Sequence, residues 1–263
     1  MAGRLLSAAI GIPVVVGAVW YGAPWLTALV ALAALAAYWE LHRLVGGATG
    51  AAPPLLHGLL FTLVLVLDGH WEAGHTLSIV TVGLLSSLVW QVARGVRPQT
   101  AAEWAMSMAA PIYIGAPLSY ALLLRAGEAG REWLLLTLLA TFATDSGAFF
   151  VGRLLGRHAM TPTISPKKTW EGAAGGLVAG AGAAVALVPV LGLAVAWWLA
   201  LAVGAVLAVA AQAGDLGESL LKRALHAGEA GRLIPGHGGV LDRLDSIVFT
   251  LVVMYHGVVW VIS

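Results

Sequence analysis

Apolar runs of membrane length, separated by short polar breaks, organise the chain from end to end. With a window of about 20 residues, the helical length needed to cross some 30 Å of hydrocarbon, about nine such runs emerge. They lie near residues 5–21, 25–41, 55–68, 76–93, 104–124, 132–151, 173–191, 194–212 and 246–262. The third is short, which leaves a tilted or re-entrant segment open. No residue-by-residue alternation of the barrel kind is present. Lipid offers backbone polar groups no partner, so the runs are predicted to be helices, and the fold class is an all-α polytopic membrane protein.

Composition agrees: of 263 residues, 60% are hydrophobic and 10% charged, with a mean hydropathy of +0.89. A net charge of +1 gives no broad basic face for phosphate neutralisation, so no nucleic-acid partner is expected. The absence of Cys excludes disulfides, thiolate nucleophiles and cysteine metal sites. The first run follows Arg4 but leads into further membrane-length segments without a clear cleavage context, so no separate cleavable signal is expected.

Basic residues then orient the chain. With nine spans, Arg4, Arg43, Arg94, Arg97, Arg153, Arg157, Lys167, Lys168, Lys222, Arg223, Arg232 and Arg243 share the N-terminal side, and Arg125 and Arg131 the other. The positive-inside rule puts the N-terminus in the cytoplasm and the C-terminus outside. N-terminal helices over 1–130 and a catalytic region over 131–263 are expected, the latter with two cytoplasmic motif loops at 152–172 and 214–245.

The second loop gathers acids and bases. Asp242 and Asp245 are three apart, on one face if the last helix starts early, and Asp215 enters at the far end of the loop. Three carboxylates without thiolates suit a hard cation such as Mg²⁺, whereas Lys222 and Arg223 suit phosphate oxygens. In Pro235-Gly236-His237-Gly238-Gly239 the backbone can take φ > 0 and bring bare N–H groups to an anion, with His237 as a donor. A tight re-entry turn, or a helix start favoured by its dipole, accounts for the glycines or the Asp pair taken separately.

The first loop repeats the anion theme. Ser165-Pro166-Lys167-Lys168-Thr169 offers two hydroxyls and two ammonium groups, and Glu171 follows. Adjacent lysines also serve as membrane anchors or meet anionic headgroups. Asp145, with Ser146 and Gly147, interrupts the sixth run; an ionisable group at that depth faces protein or a wet cavity, unless it pairs with Arg153. Glu40 and His256 read as structural. The Gly/Ala-rich stretch "GAAGGLVAGAGAA" permits close helix packing, within one chain or between two.

Ser219-x-x-Lys222-Arg223, followed by Pro235-Gly236-His237-Gly238-Gly239-x-x-Asp242-Arg243-x-Asp245, resembles the signature of phosphatidate cytidylyltransferases. "SPKKTWEG", the Asp145 segment and "GDLGES" resemble the same family in the same order, together covering roughly 140–246. One departure is Gly228-Glu229, where that family's pattern has Lys-Asp. The resemblance implies transfer of a cytidylyl group from CTP to phosphatidic acid, with Mg²⁺ and a monovalent cation such as K⁺, by a homodimer in the plasma membrane whose site faces the cytoplasm. It implies metal ligation by Asp215, Asp242 and Asp245. Catalytic roles fall to Lys222, Arg223, His237, Asp242 and Asp245. Substrate binding falls to Asp145, Ser165, Lys167, Lys168, Thr169, Ser219 and Arg243, and cofactor binding to Gly236, Gly238 and Gly239. Two other classes stay open: another lipid-phosphate enzyme, although the D-G-x-x-A-R motif of CDP-alcohol phosphotransferases is missing, and a transporter with Asp145 as its ion site.

Overall fold

A computed structural model of the chain describes residues 2–231, 233 and 238–262, with side chains described from residue 9 to residue 260 over the same stretches. Nine α-helices occur among the described residues, in the order of the nine apolar runs: α1 (Ala2–Tyr21), α2 (Trp25–Thr49), α3 (Leu55–Trp71), α4 (Thr76–Arg94), α5 (Thr100–Ala126), α6 (Gly130–Leu155), α7 (Trp170–Val190), α8 (Trp197–Ala224) and α9 (Leu241–Gly257), which runs into a π turn at Val258–Ile262. Seven helices are long and apolar enough to cross a membrane; α1 and α3 supply shorter apolar stretches. Large apolar side chains point outward, Leu77 being 81% exposed and Val178 73%. Water would penalise such a surface, whereas lipid matches it, and the chain is a multi-pass helical membrane protein.

Two compact units make up the chain. The first comprises Met1–Leu123 with Ala224–Asp242, the second Leu124–Arg223 with Arg243–Ser263. In the first, glycines let α3 approach its neighbours. A Cβ on Gly58 would sit 1.7 Å from the hydroxyl of the fully buried Tyr38 on α2, one on Gly69 2.6 Å from the Ser119 carbonyl oxygen of α5, and one on Gly83 of α4 2.6 Å from the Phe61 ring. Small residues at these crossings trade side-chain volume for backbone contact, the usual basis of helix association in lipid. The short third run is one continuous helix of 17 residues, about 26 Å long at 1.5 Å per residue.

In the second unit the Gly/Ala-rich stretch packs α7 inside one chain. A Cβ on Gly175 would meet that of Val151 at 2.4 Å, and one on Gly180 would lie 2.2 Å from Thr144 Oγ1, both across the α6–α7 contact. Gly204 of α8 reaches Ala181 and Ala184 of α7 in the same way. Close packing within the chain thus accounts for this stretch.

Both expected motif loops are shorter than 152–172 and 214–245. Helix α6 continues to Leu155, and most of the first connection is an antiparallel hairpin, β1 (Ala159–Thr161) and β2 (Ser165–Thr169), pairing Ala159 with Thr169 and Thr161 with Ser165. Helix α8 continues to Ala224, so Asp215, Ser219, Lys222 and Arg223 stand on its last turns, and α9 begins at Leu241. A hydropathy window ends a helix where charge begins, although backbone hydrogen bonding continues through charged turns at the interface.

Candidate active site

The hairpin is held at both ends. Thr169 caps α7, its hydroxyl accepting the Gly172 N–H at 3.1 Å, the arrangement expected of an N-cap. Glu171 in the first turn of α7 accepts the N–H groups of Arg157 and His158 at 3.1 and 3.2 Å and pairs with the His158 ring at 2.5 Å. Arg223, at the end of α8, donates from Nε to the Ile164 carbonyl at 3.2 Å. These anchors fix where β2 presents Lys167 and Lys168.

Lys168 Nζ lies 2.7 Å from Asp215 Oδ2, an ion pair from β2 to α8 with side chains 25% and 37% exposed. Both groups line a cavity of about 500 Å³ with Asp145, Arg153, Lys167 and Thr169. Phe149, Met160 and Leu216 add an apolar wall. Asp145 accordingly lines this cavity, with Lys168, Asp215 and Asp245 as electrostatic neighbours. Pairing with Arg153 is not its arrangement, although Arg153 shares the cavity.

Gly214 sets the distance between α8 and α9. A Cβ there would stand 2.3 Å from the Asp245 carbonyl oxygen and 3.0 Å from the Phe249 ring. The bare backbone lets the helices meet where Asp215 and Asp245 lie, and each carboxylate is in the other's field. Thr141 Oγ1 and Thr250 Oγ1, 3.1 Å apart, join α6 to α9 one layer away. Like charges held close are unfavourable unless a cation stands between or beside them; Lys168 supplies one such charge.

Other expected residues are engaged differently. Lys222 pairs at 2.5 Å with Glu218, one helical turn earlier and 1% exposed. Ser219 is half-buried on the same helix, Ser165 sits in the hairpin pairing with Thr161, and Arg243 is exposed near the start of α9. Gly236 and His237 lie outside the described residues. Among the described residues no group of three or more His, Asp or Glu is placed to hold a metal by itself. Mg²⁺ is commonly held by one or two carboxylates together with substrate phosphates, and the Asp215 and Asp245 pair fits that mode.

The first unit contains the remainder of the signature. Asp242 accepts the Ala230 N–H at 3.2 and 3.0 Å on its two oxygens and the Gly239 N–H at 2.8 Å. Gly238 has φ +81°, and a Cβ there would lie 2.9 Å from Asp242 Oδ2, so a left-handed residue without a side chain is required. One glycine N–H does meet an anion here, but the anion is the protein's own: Gly239, expected to take part in cofactor binding, donates to Asp242.

Sequence reasoning missed Glu218, whose i,i+4 spacing to Lys222 is its signal, and took Glu40 as a structural residue without assigning it a partner. Glu40 is 1% exposed, and its Oε2 accepts the Leu241 N–H at 2.9 Å.

Comparison with known proteins agrees with the motif order. The profile of the family described as "Cytidylyltransferase family" matches residues 2–261. The phosphatidate cytidylyltransferase of Staphylococcus saprophyticus is 39% identical over 139 residues, 53% of this chain and 53% of that protein. That of Bacillus subtilis is 40% identical over 147 residues, 56% and 55% of the two chains, and that of Mycobacterium bovis 44% over 121 residues, 46% of this chain and 39% of that one. The matched stretches span about half the length of these curated relatives or less. With a family profile matched over nearly its whole length, the chain belongs to the cytidylyltransferase family.

Proposed function

We propose that the protein transfers the cytidylyl group of CTP to phosphatidic acid, releasing pyrophosphate and forming CDP-diacylglycerol for phospholipid biosynthesis. The observation that carries this is the Lys168–Asp215 pair on the 500 Å³ cavity, where bases for phosphate and acids for a divalent cation share one wall. The names of the similar proteins support the choice of substrates.

A phosphate oxygen of the lipid attacks the α-phosphorus of CTP; the bond from that phosphorus to the α,β-bridging oxygen breaks, and pyrophosphate leaves with the electron pair. The nucleophile is already ionised near neutral pH, so no general base is needed and catalysis consists of positioning and charge neutralisation. Lys167 and Lys168 neutralise phosphate oxygens from the hairpin, and Arg223 braces that hairpin. Asp215 and Asp245 would hold Mg²⁺, which when bound lowers the repulsion between the two anionic substrates; K⁺ beside it belongs to the same proposal. Asp145 keeps the cavity floor polar at membrane depth. The reading includes nine crossings of the plasma membrane, a cytoplasmic N-terminus, a C-terminus outside, a site facing the cytoplasm and a homodimer, supported by the basic-residue asymmetry and the family resemblance.

The test is purified protein given CTP, phosphatidic acid and Mg²⁺, with pyrophosphate and CDP-lipid measured beside Asp215→Asn. Turnover by the unaltered chain, reduced about 10²- to 10³-fold in the variant, is expected. A folded wild-type chain that leaves CTP intact across lipids and cations contradicts the proposal.

A further inference from the structure

Glu40 stands within α2, where it is the one acid of that helix. A carboxylate so buried is costly unless donors surround it, and none of its donors comes from its own helix. Its hydrogen-bond partner is a backbone N–H about two hundred residues further on, that of Leu241 at 2.9 Å to Oε2, while Oε1 is buried without a partner. The chain at 231 and 239 passes so near that a Cβ on Gly231 would lie 2.0 Å from Oε1 and one on Gly239 2.5 Å from Oε2. These two glycines therefore make room for one particular carboxylate, and the fit is mutual.

Asp242 does the same from the other side, through Ala230 and Gly239. Three backbone N–H groups, those of Ala230, Gly239 and Leu241, are thus held by two carboxylates. Asp242 belongs to the turn's own signature, but Glu40 arrives from a distant helix outside the motif region. An anchor donated across the fold sets where the turn stands, whereas a local one sets only its shape.

We infer that Glu40 is a positioning residue for the cytidylyl transfer: its carboxylate holds the Leu241 N–H and fills the space against Gly231 and Gly239, and so sets the entry to α9 in the arrangement that turnover requires. The inference rests on the proposed function for its kinetic readout and on hydrogen exchange for an independent one. Glu40→Gln keeps size but sets an amide donor against N–H groups, Glu40→Asp keeps charge, and Glu40→Leu keeps apolar burial. Turnover numbers falling in the order Asp, Gln, Leu are expected, the Gln variant by about 10- to 100-fold, on the scale of hydrogen bonds to a charged group. Amide exchange at Leu241 should accelerate while α6 and α7 exchange as in the wild type. Gly239→Ala, with Glu40 intact, should reproduce the loss by displacing the same carboxylate. If the Gln or Leu variant turns over like the wild type, or exchange at the Leu241 amide is unchanged, the inference is wrong. A wild-type chain without cytidylyl transfer would instead refute the proposed function, and the exchange data would still decide the role of Glu40.

Discussion

Glu40 and Asp242 of the first unit do different work from Asp215 of the second, and the donors around them explain why. In the first unit Glu40 and Asp242 accept backbone N–H groups. In the second, Asp215 faces the ammonium of Lys168 at 2.7 Å on an open cavity, with Asp145 on the same wall and Asp245 in its field. Backbone donors are fixed by the fold and cannot leave, so a carboxylate among them becomes part of the scaffold. A lysine side chain can swing to a phosphate and release its acid to a cation. Residue type alone does not separate anchor from reagent; the mobility of the partner does.

Breaking the reagent side should have the largest effect. Lys168→Met removes the charge and keeps the stem, and is expected to lower turnover about 100-fold with little change in thermal stability, because a pair exposed by a quarter or more contributes at most about 1 kcal/mol. Pyrophosphate release and a melting curve check both halves. Breaking the anchor side should act on order first. Asp242→Asn leaves one acceptor oxygen where two served, and amide exchange at Ala230 and Gly239 should accelerate about 10-fold, as for loss of a hydrogen bond of about 1.4 kcal/mol. A control sharpens both: Arg131 pairs with its neighbour Glu132 at 2.5 Å while 38% exposed, and Arg131→Ala should shift stability by less than about 1 kcal/mol and leave turnover unchanged.

Much of the fold was legible because lipid permits little else. Each of the nine apolar runs coincides with a helix, since a membrane leaves the backbone no other partner. The ends were less legible. Hydropathy stopped the eighth run at 212, yet α8 carries Asp215, Glu218 and Lys222 on helical turns to Ala224, where intrahelical pairing replaces apolar character. The hairpin at 159–169 escaped notice because Ser-Pro-Lys-Lys-Thr has little strand propensity; cross-strand pairing and the Thr169 cap hold it instead. Asp215, Lys168 and Asp145 were recognisable as chemistry, and the cavity that unites them came from helix packing at glycines. Glu40 was beyond sequence reading, as its bond to Leu241 spans 201 residues.

The most direct test of the account exchanges the two charges of the central pair. A protein carrying Lys168→Asp together with Asp215→Lys can restore an ion pair between β2 and α8, but it places an acid where the phosphates need a base and a base where the cation needs an acid. The exchanged protein is expected to melt close to the wild type yet form no measurable CDP-lipid from CTP, phosphatidic acid and Mg²⁺. Recovery of turnover in the exchanged protein, well above that of either single variant, would show that the pair only holds the hairpin to the helix, and would contradict the claim that it meets the substrates.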